Sequence, residues 1–595
     1  MGLDTMDLVL MLLTFVGGLA MFMYGMNVMG GGLEKLSGGK LEHVLEKLTS
    51  NKIKGVLLGL IVTAVVQSSS ATTVMVVGFV NSGIMQLGQA ASVMMGANIG
   101  TTVTAWILSL SGIQGENLLL TLLKPTSFAP VLAIIGVAML TFIKKGRKQD
   151  VGLILIGFAL LMIGMSTMSS ALEPLAEVPE FTNILVMFSN PILGVIVGAV
   201  MTAIMQSSSA TVGILQALSS TGSLPFGSAV PIIMGQNIGS CVTTLLSSVG
   251  ANKNAKRAAF LRLYAIVIGT VVFLILYYSL DAIFDFNFTS GSATVFSIAM
   301  VHTVFNVFTT VILLPFTKGL EKLAKLTIRE GKAQGDADLM LLDERFLATP
   351  AFALDQCRTV SIKMAELTRS TLLDALDQFN SYSEEAAAGI IANENKVDEY
   401  EDKLGAYLMK LSSGNISDRD GQIISVLQHC IGDIERICDR AVNTLEAAEE
   451  MNRKGLVFSD KAQEELNIYF SAVREIVELS FSAYEKGDII KAKTVEPLEE
   501  VIDNLRNQMK KHHIKRLRKG KCSIETGFIM SEMLNNLERI ADHCSNIAIC
   551  IIQIHEGALD PHEYIIELRK TEDSFFLEQV TGFTRKYALP KKAKE

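Results

Sequence analysis

The chain has 595 residues, enough for several domains, and a formal net charge of −8. Its charge is unevenly divided: residues 1–317 hold 26 of the 112 Asp, Glu, Lys and Arg side chains with a net charge of +2, and residues 318–595 hold the other 86 with a net charge of −10. That split predicts a multi-span membrane domain followed by a soluble one, and an acidic second part without a basic stripe argues against nucleic acid as a partner.

Taken in chain order, apolar runs long enough to cross a bilayer occupy 8–30, 119–143, 151–172, 258–280 and 293–316. The first has no basic flank before it and no small-residue cleavage site after it, so it reads as a retained span. Two further stretches, 55–115 and 181–252, contain no charged residue at all. Each is too long for a single span and is interrupted by Gly, Ser and Asn. Basic residues collect in cytoplasmic loops. Lys35, Lys40, Lys47, Lys52 and Lys54 place the 33–54 loop inside; Lys144, Lys145, Arg147 and Lys148 do the same for the next basic loop. Lys253, Lys256, Arg257 and Arg262 place the connection near 253–262 inside as well. The 111–118 loop has no base, and the 173–190 loop carries only Glu173, Glu177 and Glu180, so both read as outside. The last span returns inside, and the soluble domain is expected in the cytoplasm.

The membrane part is a duplication. Gln67-Ser68-Ser69-Ser70-Ala71-Thr72 recurs as Gln206-Ser207-Ser208-Ser209-Ala210-Thr211, an offset of 139. The same offset carries Gly59, Thr63, Gly96, Asn98 and Gly100 onto Gly198, Thr202, Gly235, Asn237 and Gly239, and Gly18 and Gly25 onto Gly157 and Gly164. Equivalent loops fall on opposite sides in the two copies, so the repeats are predicted to be inverted, an architecture of transporters that bind at the midplane. Length and parity fit a re-entrant hairpin carrying each Gln-Ser-Ser-Ser turn, followed by a crossing helix broken at Asn98 or Asn237.

Irregular backbone at membrane depth survives only where it lines a cavity or is buried in protein. A turn of consecutive serines presents N–H groups and hydroxyls together, and half-helix N-termini favour an anion. Hydroxyl and amide oxygens suit a small hard cation. No Arg or Lys lies within either polar stretch, so a multivalent oxyanion there would need bound cations to offset its charge. A lone polar cluster is as readily explained as hydrogen-bonding glue between helices; two copies with matched neighbours favour a site.

The paired motifs, each followed by G-x-N-I-G, resemble the type II sodium–phosphate cotransporter family over most of residues 8–317. The resemblance implies a sodium-coupled inorganic phosphate carrier, with phosphate and sodium ions held between the hairpins by Gln67, Ser68, Ser69, Ser70, Gln206, Ser207, Ser208 and Ser209. Thr72, Asn98, Thr101, Thr211 and Asn237 are further candidates. Copy two has Ser240-Cys241 where copy one has Thr101-Thr102, which puts one implied sodium site in question. His302 and Asn306, four apart on the last span, share a helix face but are as readily a packing pair.

Residues 318–350 form a charged amphipathic connector. Beyond it the hydrophobic period is helical throughout, with helices expected at about 354–381, 384–412, 418–451, 459–486, 488–518 and 522–556. Breaks fall at Ser413-Gly414-Asn415, Lys454-Gly455 and Lys519-Gly520. Six of the seven cysteines lie here without a CxxC pair, as expected of reduced cytosolic thiols. This part is also duplicated: Glu394 and Asp398 match Glu499 and Asp503, and Glu435 and Asp439 match Glu538 and Asp542, all spaced i, i+4. Like charges at that spacing repel, so four recurring pairs suggest a divalent or trivalent metal held by oxygen ligands. A solvated acidic face, or salt bridges to Arg436 and Arg539, stays open as the alternative. The repeated E-R-I-x-D stretches resemble the PhoU family over roughly 350–560, which implies a phosphate-regulatory domain with E-x-x-x-D metal sites.

The expected fold is all-α. Two inverted repeats with re-entrant hairpins, about 8–143 and 151–316, form a polytopic membrane domain over 1–317. A connector over 318–350, a six-helix PhoU-like domain of two three-helix bundles over 351–560 and a tail over 561–595 follow. The expected function is sodium/phosphate symport at the cytoplasmic membrane under PhoU-like control. The alternative is a phosphate receptor that signals without net transport. An enzyme is disfavoured, because neither polar stretch holds a His or carboxylate to activate a serine. The implied partners are inorganic phosphate and the lipid bilayer, with a second copy in a homodimer and phosphate-signalling proteins as further candidates.

Overall fold

A computed structural model describes residues 5–37, 51–112, 125–143, 146–287, 289, 291–329, 339–414, 416–556 and 574–590. Lys40, Lys47, Lys144, Lys145, the 113–118 part of the loop expected outside and the middle of the connector lie outside the described residues. The chain divides into two compact units, Met1–Phe352 and Ala353–Glu595. Among the described residues there is no strand, and one isolated bridge pairs Pro225 with Ser292.

The first unit begins with α1 (Thr5–Ser37) and then a hairpin of α2 (Lys52–Val66) and α3 (Ser69–Asn81), followed by α4 (Leu87–Ser109) and α5 (Pro125–Phe142). The second copy repeats the order: α6 (Arg147–Leu172), a short α7 (Pro179–Met187), the hairpin α8 (Pro191–Met205) and α9 (Ser208–Ser219), then α10 (Phe226–Gly239) and α11 (Cys241–Ser247). Long helices α12 (Lys253–Phe284) and α13 (Val295–Leu313) and the amphipathic α14 (Thr317–Thr327) complete the unit. Among the described residues six helices are long and apolar enough to cross a membrane, or up to seven if the bent α7–α8 pair is one span. Their outward faces carry exposed Leu13, Ile196, Ile204, Ile275 and Val311, as a lipid-facing surface requires.

Small residues let the helix backbones touch. A Cβ on Gly18 would lie 3.0 Å from the Gly164 carbonyl oxygen, and one on Gly25 2.7 Å from that of Gly157. Because 157 and 164 are the counterparts of 18 and 25, α1 and α6 are equivalent helices packed antiparallel, each meeting the other through the same glycines. Within each copy the first hairpin arm meets the crossing helix as closely. A Cβ on Gly59 would stand 2.0 Å from Val93 O, and one on its counterpart Gly198 2.1 Å from Ile232 O.

Two expectations change. The crossing helix of copy one is not broken at Asn98: α4 runs unbroken past it, because Gly96 and Gly100 there serve close packing against α2. In copy two the interruption falls at Ser240, after Asn237. The 173–190 connection is not an open loop, either. It forms a short 3-10 turn at Glu173–Glu177 and then α7, started by Pro179 at its first helical position and seated by buried Leu185.

The second unit is helical as expected. Beginning in the last residues of the first unit, α15 (Pro350–Asp377) leads into α16 (Glu384–Ser412), α17 (Asp418–Lys454), α18 (Asp460–Lys486), a one-turn α19 (Ile489–Ala492), α20 (Val495–Arg518) and α21 (Ile524–Glu556). Gly455 and Gly487, at φ 62° and 63°, end α17 and α18 in the left-handed conformation that glycine adopts without steric cost. Val397, Leu404, Ile434, Ile437, Val473 and Ile547 recur at helical spacing and are fully buried in its core. A further helix, α22 (Ser574–Lys586), lies in the tail and holds Glu475 of α18 through Lys586 Nζ at 2.7 Å. All seven cysteines are free thiols.

Candidate substrate and ion site

Each Gln-Ser-Ser-Ser motif is the turn of a hairpin, and the two turns are built alike. The first arm ends in a left-handed glutamine, Gln67 at φ 58° and Gln206 at φ 52°. A non-glycine residue there is strained, and such residues concentrate at functional sites. The next residue is extended and caps the second arm: Ser68 Oγ accepts from Ala71 N at 3.1 Å, and Ser207 Oγ from Ala210 N at 3.2 Å. Hydroxyl pairs close both hairpins. Thr63 donates to Thr72 at 3.1 Å, and Thr202 and Thr211 share a bond at 2.9 Å. Thr72 and Thr211 therefore hold the turns in shape. The first N–H groups of α3 and α9 have no intrahelical acceptor, so each serine turn is an N-terminus of partial positive charge.

The crossing helices support the turns unequally. Gln67 is buried, accepting from Thr104 Oγ1 at 2.9 Å and donating to Ala64 O at 2.5 Å, whereas Gln206 is exposed. Asn98 and Asn237 are both buried; Asn237 donates to Ile233 O at 2.8 Å, and Thr101 to Ala97 O at 3.0 Å. Ser69, Ser208 and Ser209 are buried, while Ser70 is half-buried and accepts from Thr243 Oγ1 of α11 at 3.4 Å. That last contact ties the first turn to the second copy. His302 is buried with Nδ1 unpartnered, and Asn306 donates to its carbonyl at 2.8 Å.

Neither polar stretch contains a base in sequence, but the fold brings one to them. Arg262, assigned above to a cytoplasmic loop, lies inside α12 and is only 2 % exposed. Its Nη1 donates to Thr73 Oγ1 at 3.1 Å, to Ser240 O at 3.3 Å and to Thr244 Oγ1; its Nη2 donates to Asn98 Oδ1 at 3.3 Å and Ser240 Oγ at 3.1 Å. Thr73 in turn donates to the carbonyls of Ser69 at 2.8 Å and Ser70 at 3.1 Å, so the guanidinium stands one hydroxyl from the first serine turn. The signal was available: an arginine in an apolar run is a functional candidate by default.

In the second unit, Glu394, Asp398 and Asp439 each bring a carboxylate oxygen within 4.8 Å of the others. Burial, and then repulsion from Asp439, pushes the Glu435 carboxyl up to about 7. Burial and neighbouring carboxylates also raise Glu394 and Asp398. The donor set and its uncompensated charge fit a hard multivalent cation. The matching set differs. Arg506 bridges Asp503 and Glu538 at 2.5 Å each, and Arg539 lies 3.6 Å from Asp542. Glu401 occupies the position in copy one that Arg506 holds in copy two, at the 105-residue offset of the 394 and 499 pair. One set is therefore acidic throughout, and the other contains its own cation.

Comparison with known proteins agrees with both duplications. Residues 21–170 and 160–302 match the Na+/Pi-cotransporter family, and residues 362–448 and 466–551 match the PhoU domain. An Escherichia coli K12 protein, YjbB, provisionally named as an inorganic phosphate export protein, is 23% identical over 571 residues, covering 91% of this chain and 98% of its own. The rat sodium-dependent phosphate transport protein 2A is 37% identical over 98 residues, 16% of this chain and 15% of its own. A crystal structure of PhoU from Pseudomonas aeruginosa aligns with 34% of this chain and 98% of its own, at 20% identity and a TM-score of 0.33. The protein is a multi-pass membrane protein whose first unit belongs to the Na+/Pi-cotransporter family and whose second unit carries a pair of PhoU domains.

Proposed function

We propose that this protein carries inorganic phosphate across the cytoplasmic membrane, coupled to sodium, under the control of a cytoplasmic PhoU-like unit. The observation that carries the reading is the pair of matched hairpin turns, each built from a left-handed glutamine, a serine cap and the N-terminus of a half-helix with buried serines. Such N-termini bind oxyanions through backbone N–H groups without a covalent step. In this reading Ser69, Ser70, Ser208 and Ser209 hold the phosphate. Gln67, Gln206 and Asn237, with Ser68, Ser207 and Thr101, supply neutral oxygens for sodium ions. Thr72, Thr211 and Asn98 hold the turns and their neighbours in place. The antiparallel α1–α6 pair supports two inverted halves that rock about the site in alternating access. Both relatives are named for phosphate movement, which supports the substrate; direction then follows the gradients.

For the second unit the reading is regulatory. Glu394, Asp398, Glu435 and Asp439 would hold a divalent or trivalent cation. Glu499, Asp503, Glu538 and Asp542 form the counterpart set, with Arg506 supplying charge there.

The test is uptake of radiolabelled phosphate by proteoliposomes with and without an imposed sodium gradient. Accumulation driven by the gradient is expected. Phosphate binding with no flux under any gradient would instead support a receptor. A C-terminal fusion to a fluorescent reporter that folds only in the cytosol should light up; activity of a periplasmic phosphatase fused there would reverse the orientation.

A further inference from the structure

The duplication is broken where Arg262 sits. Of the side chains that accept from its guanidinium, Asn98 has its counterpart in Asn237 and Ser240 in Thr101, both polar. The other two do not match. Thr73 corresponds to Val212, and Thr244 to Ala105. Thr73 and Thr244 share a hydrogen bond at 3.2 Å beneath the arginine, whereas Val212 and Ala105 lie together in a buried apolar cluster. One face of the repeat has thus acquired two hydroxyls that the other lacks, and a cation fills the space between them.

Every acceptor on that cation is neutral, and its Nε has no partner. Among the described residues no carboxylate pairs with it. A buried charge is retained at such a site only where something compensates it. The elements around it, α3, α4, α10, α11 and α12, present hydroxyls, amides and carbonyls there. A ligand would supply the opposite charge, and the nearest anion-binding element is the first serine turn.

We infer that Arg262 is a resident counter-cation for the transported oxyanion, standing in for one co-transported sodium ion in this half of the duplication. The inference rests on the proposed function and adds a term to its charge balance. An oxyanion in a site without bases must be neutralised by ions that travel with it. A fixed guanidinium one hydroxyl from the turn supplies one positive charge on every cycle and stays behind. The counterpart face, with Val212 and Ala105 and no such base among the described residues, keeps its dependence on a mobile ion.

The experiment uses the full chain in proteoliposomes. Phosphate uptake is titrated against phosphate and against sodium for wild type, Arg262→Gln and Arg262→Lys. Arg262→Gln should raise the half-saturating phosphate concentration about tenfold, the loss of one nearby compensating charge, and steepen the sodium dependence by one ion. Arg262→Lys keeps the charge and should keep the wild-type sodium slope, at some cost in affinity because lysine lacks the planar fork. If Arg262→Gln and Arg262→Lys lose uptake equally with the sodium slope unchanged, Arg262 only cross-links helices and the inference fails. Should Arg262→Gln not reach the membrane, the lysine variant decides: an unchanged slope with retained uptake supports the inference, and a steeper slope or lost uptake overturns it. Wild-type uptake that ignores sodium would instead refute the sodium coupling proposed above. The affinity lost in Arg262→Gln would then still report whether Arg262 is the counter-charge.

Discussion

Asn81 donates its side-chain amide to the Asp343 carboxylate at 2.7 Å, joining the end of the first hairpin to a segment 262 residues later. The same asparagine accepts from Asn252 N at 2.8 Å through Oδ1, and from Asn252 Nδ2 at 2.6 Å through its carbonyl. Asn252 is the N-cap of α12, and Arg345, paired with Asp343, donates to Ser247 O at the end of α11 at 2.7 Å. Phe346 closes over Gly78 and packs against Phe79 with ring centroids 5.5 Å apart and the rings tilted by 41°. The end of the connector is thus part of the first unit's packing.

Asp343→Ala leaves the Asn81 amide and the Arg345 guanidinium short of an acceptor, at a cost of about 1–3 kcal/mol. The thermal midpoint of the detergent-solubilised protein should drop, and Asp343→Asn, which keeps an acceptor oxygen, should lose less. Equal midpoints for wild type and Asp343→Ala would mean that the link contributes nothing.

The close approach of α2 to α4 makes a second prediction. A Cβ on Gly96 would lie 2.0 Å from Val56 O, so Gly96→Val must force two backbones apart. Overpacking of that kind costs at least about 1–3 kcal/mol, and the yield of monodisperse protein should collapse. Gly31→Ala, where an added Cβ meets nothing within 4 Å, is the control and should be tolerated. Normal yield from Gly96→Val would contradict the packing.

Ser69 and Ser208 occupy equivalent places at the starts of α3 and α9. If both hairpins hold one phosphate, Ser69→Ala and Ser208→Ala should each weaken uptake affinity about tenfold, at about 1.4 kcal/mol per decade. Two hydroxyls on a shared ligand should not add simply in the double variant. Serines that serve only as helix glue would instead reduce folding and leave the surviving protein with wild-type affinity.

The acidic set of the second unit makes a pH prediction. Burial and Asp439 raise the Glu435 carboxyl from 4.5 in the unfolded chain to about 7 in the folded one. Between those values the folded protein binds more protons than the unfolded chain, so stability falls as pH rises through the window and the penalty is complete above it. In chelator-treated protein the melting temperature of the second unit should decline across that range. Glu435→Gln should flatten the decline, and a divalent cation should restore stability at the alkaline end. A Glu435→Gln variant whose pH profile overlays wild type would remove Glu435 from the cluster.

Much of this protein follows from short-range rules that the amino-acid order states directly. The serine turns cap their own helices within three residues, Gly455 and Gly487 end theirs, and the apolar period of residues 354–556 has one helical solution. Duplication, too, is read from order alone, and Gly59 and Gly96 meet the facing backbone at distances within 0.1 Å of those of their counterparts Gly198 and Gly235. What order could not state is how the two copies differ in use. Arg262 reads as loop charge from its neighbours Lys256 and Arg257, because a one-dimensional window cannot show that Thr73 and Asn98, 189 and 164 residues away, face it. Arg506 likewise neutralises one acidic set and leaves its twin bare. Local capping and periodicity depend on contacts a few residues apart; the compensation of a buried charge depends on whatever the fold brings within about 3–4 Å of it, and only tertiary structure decides that.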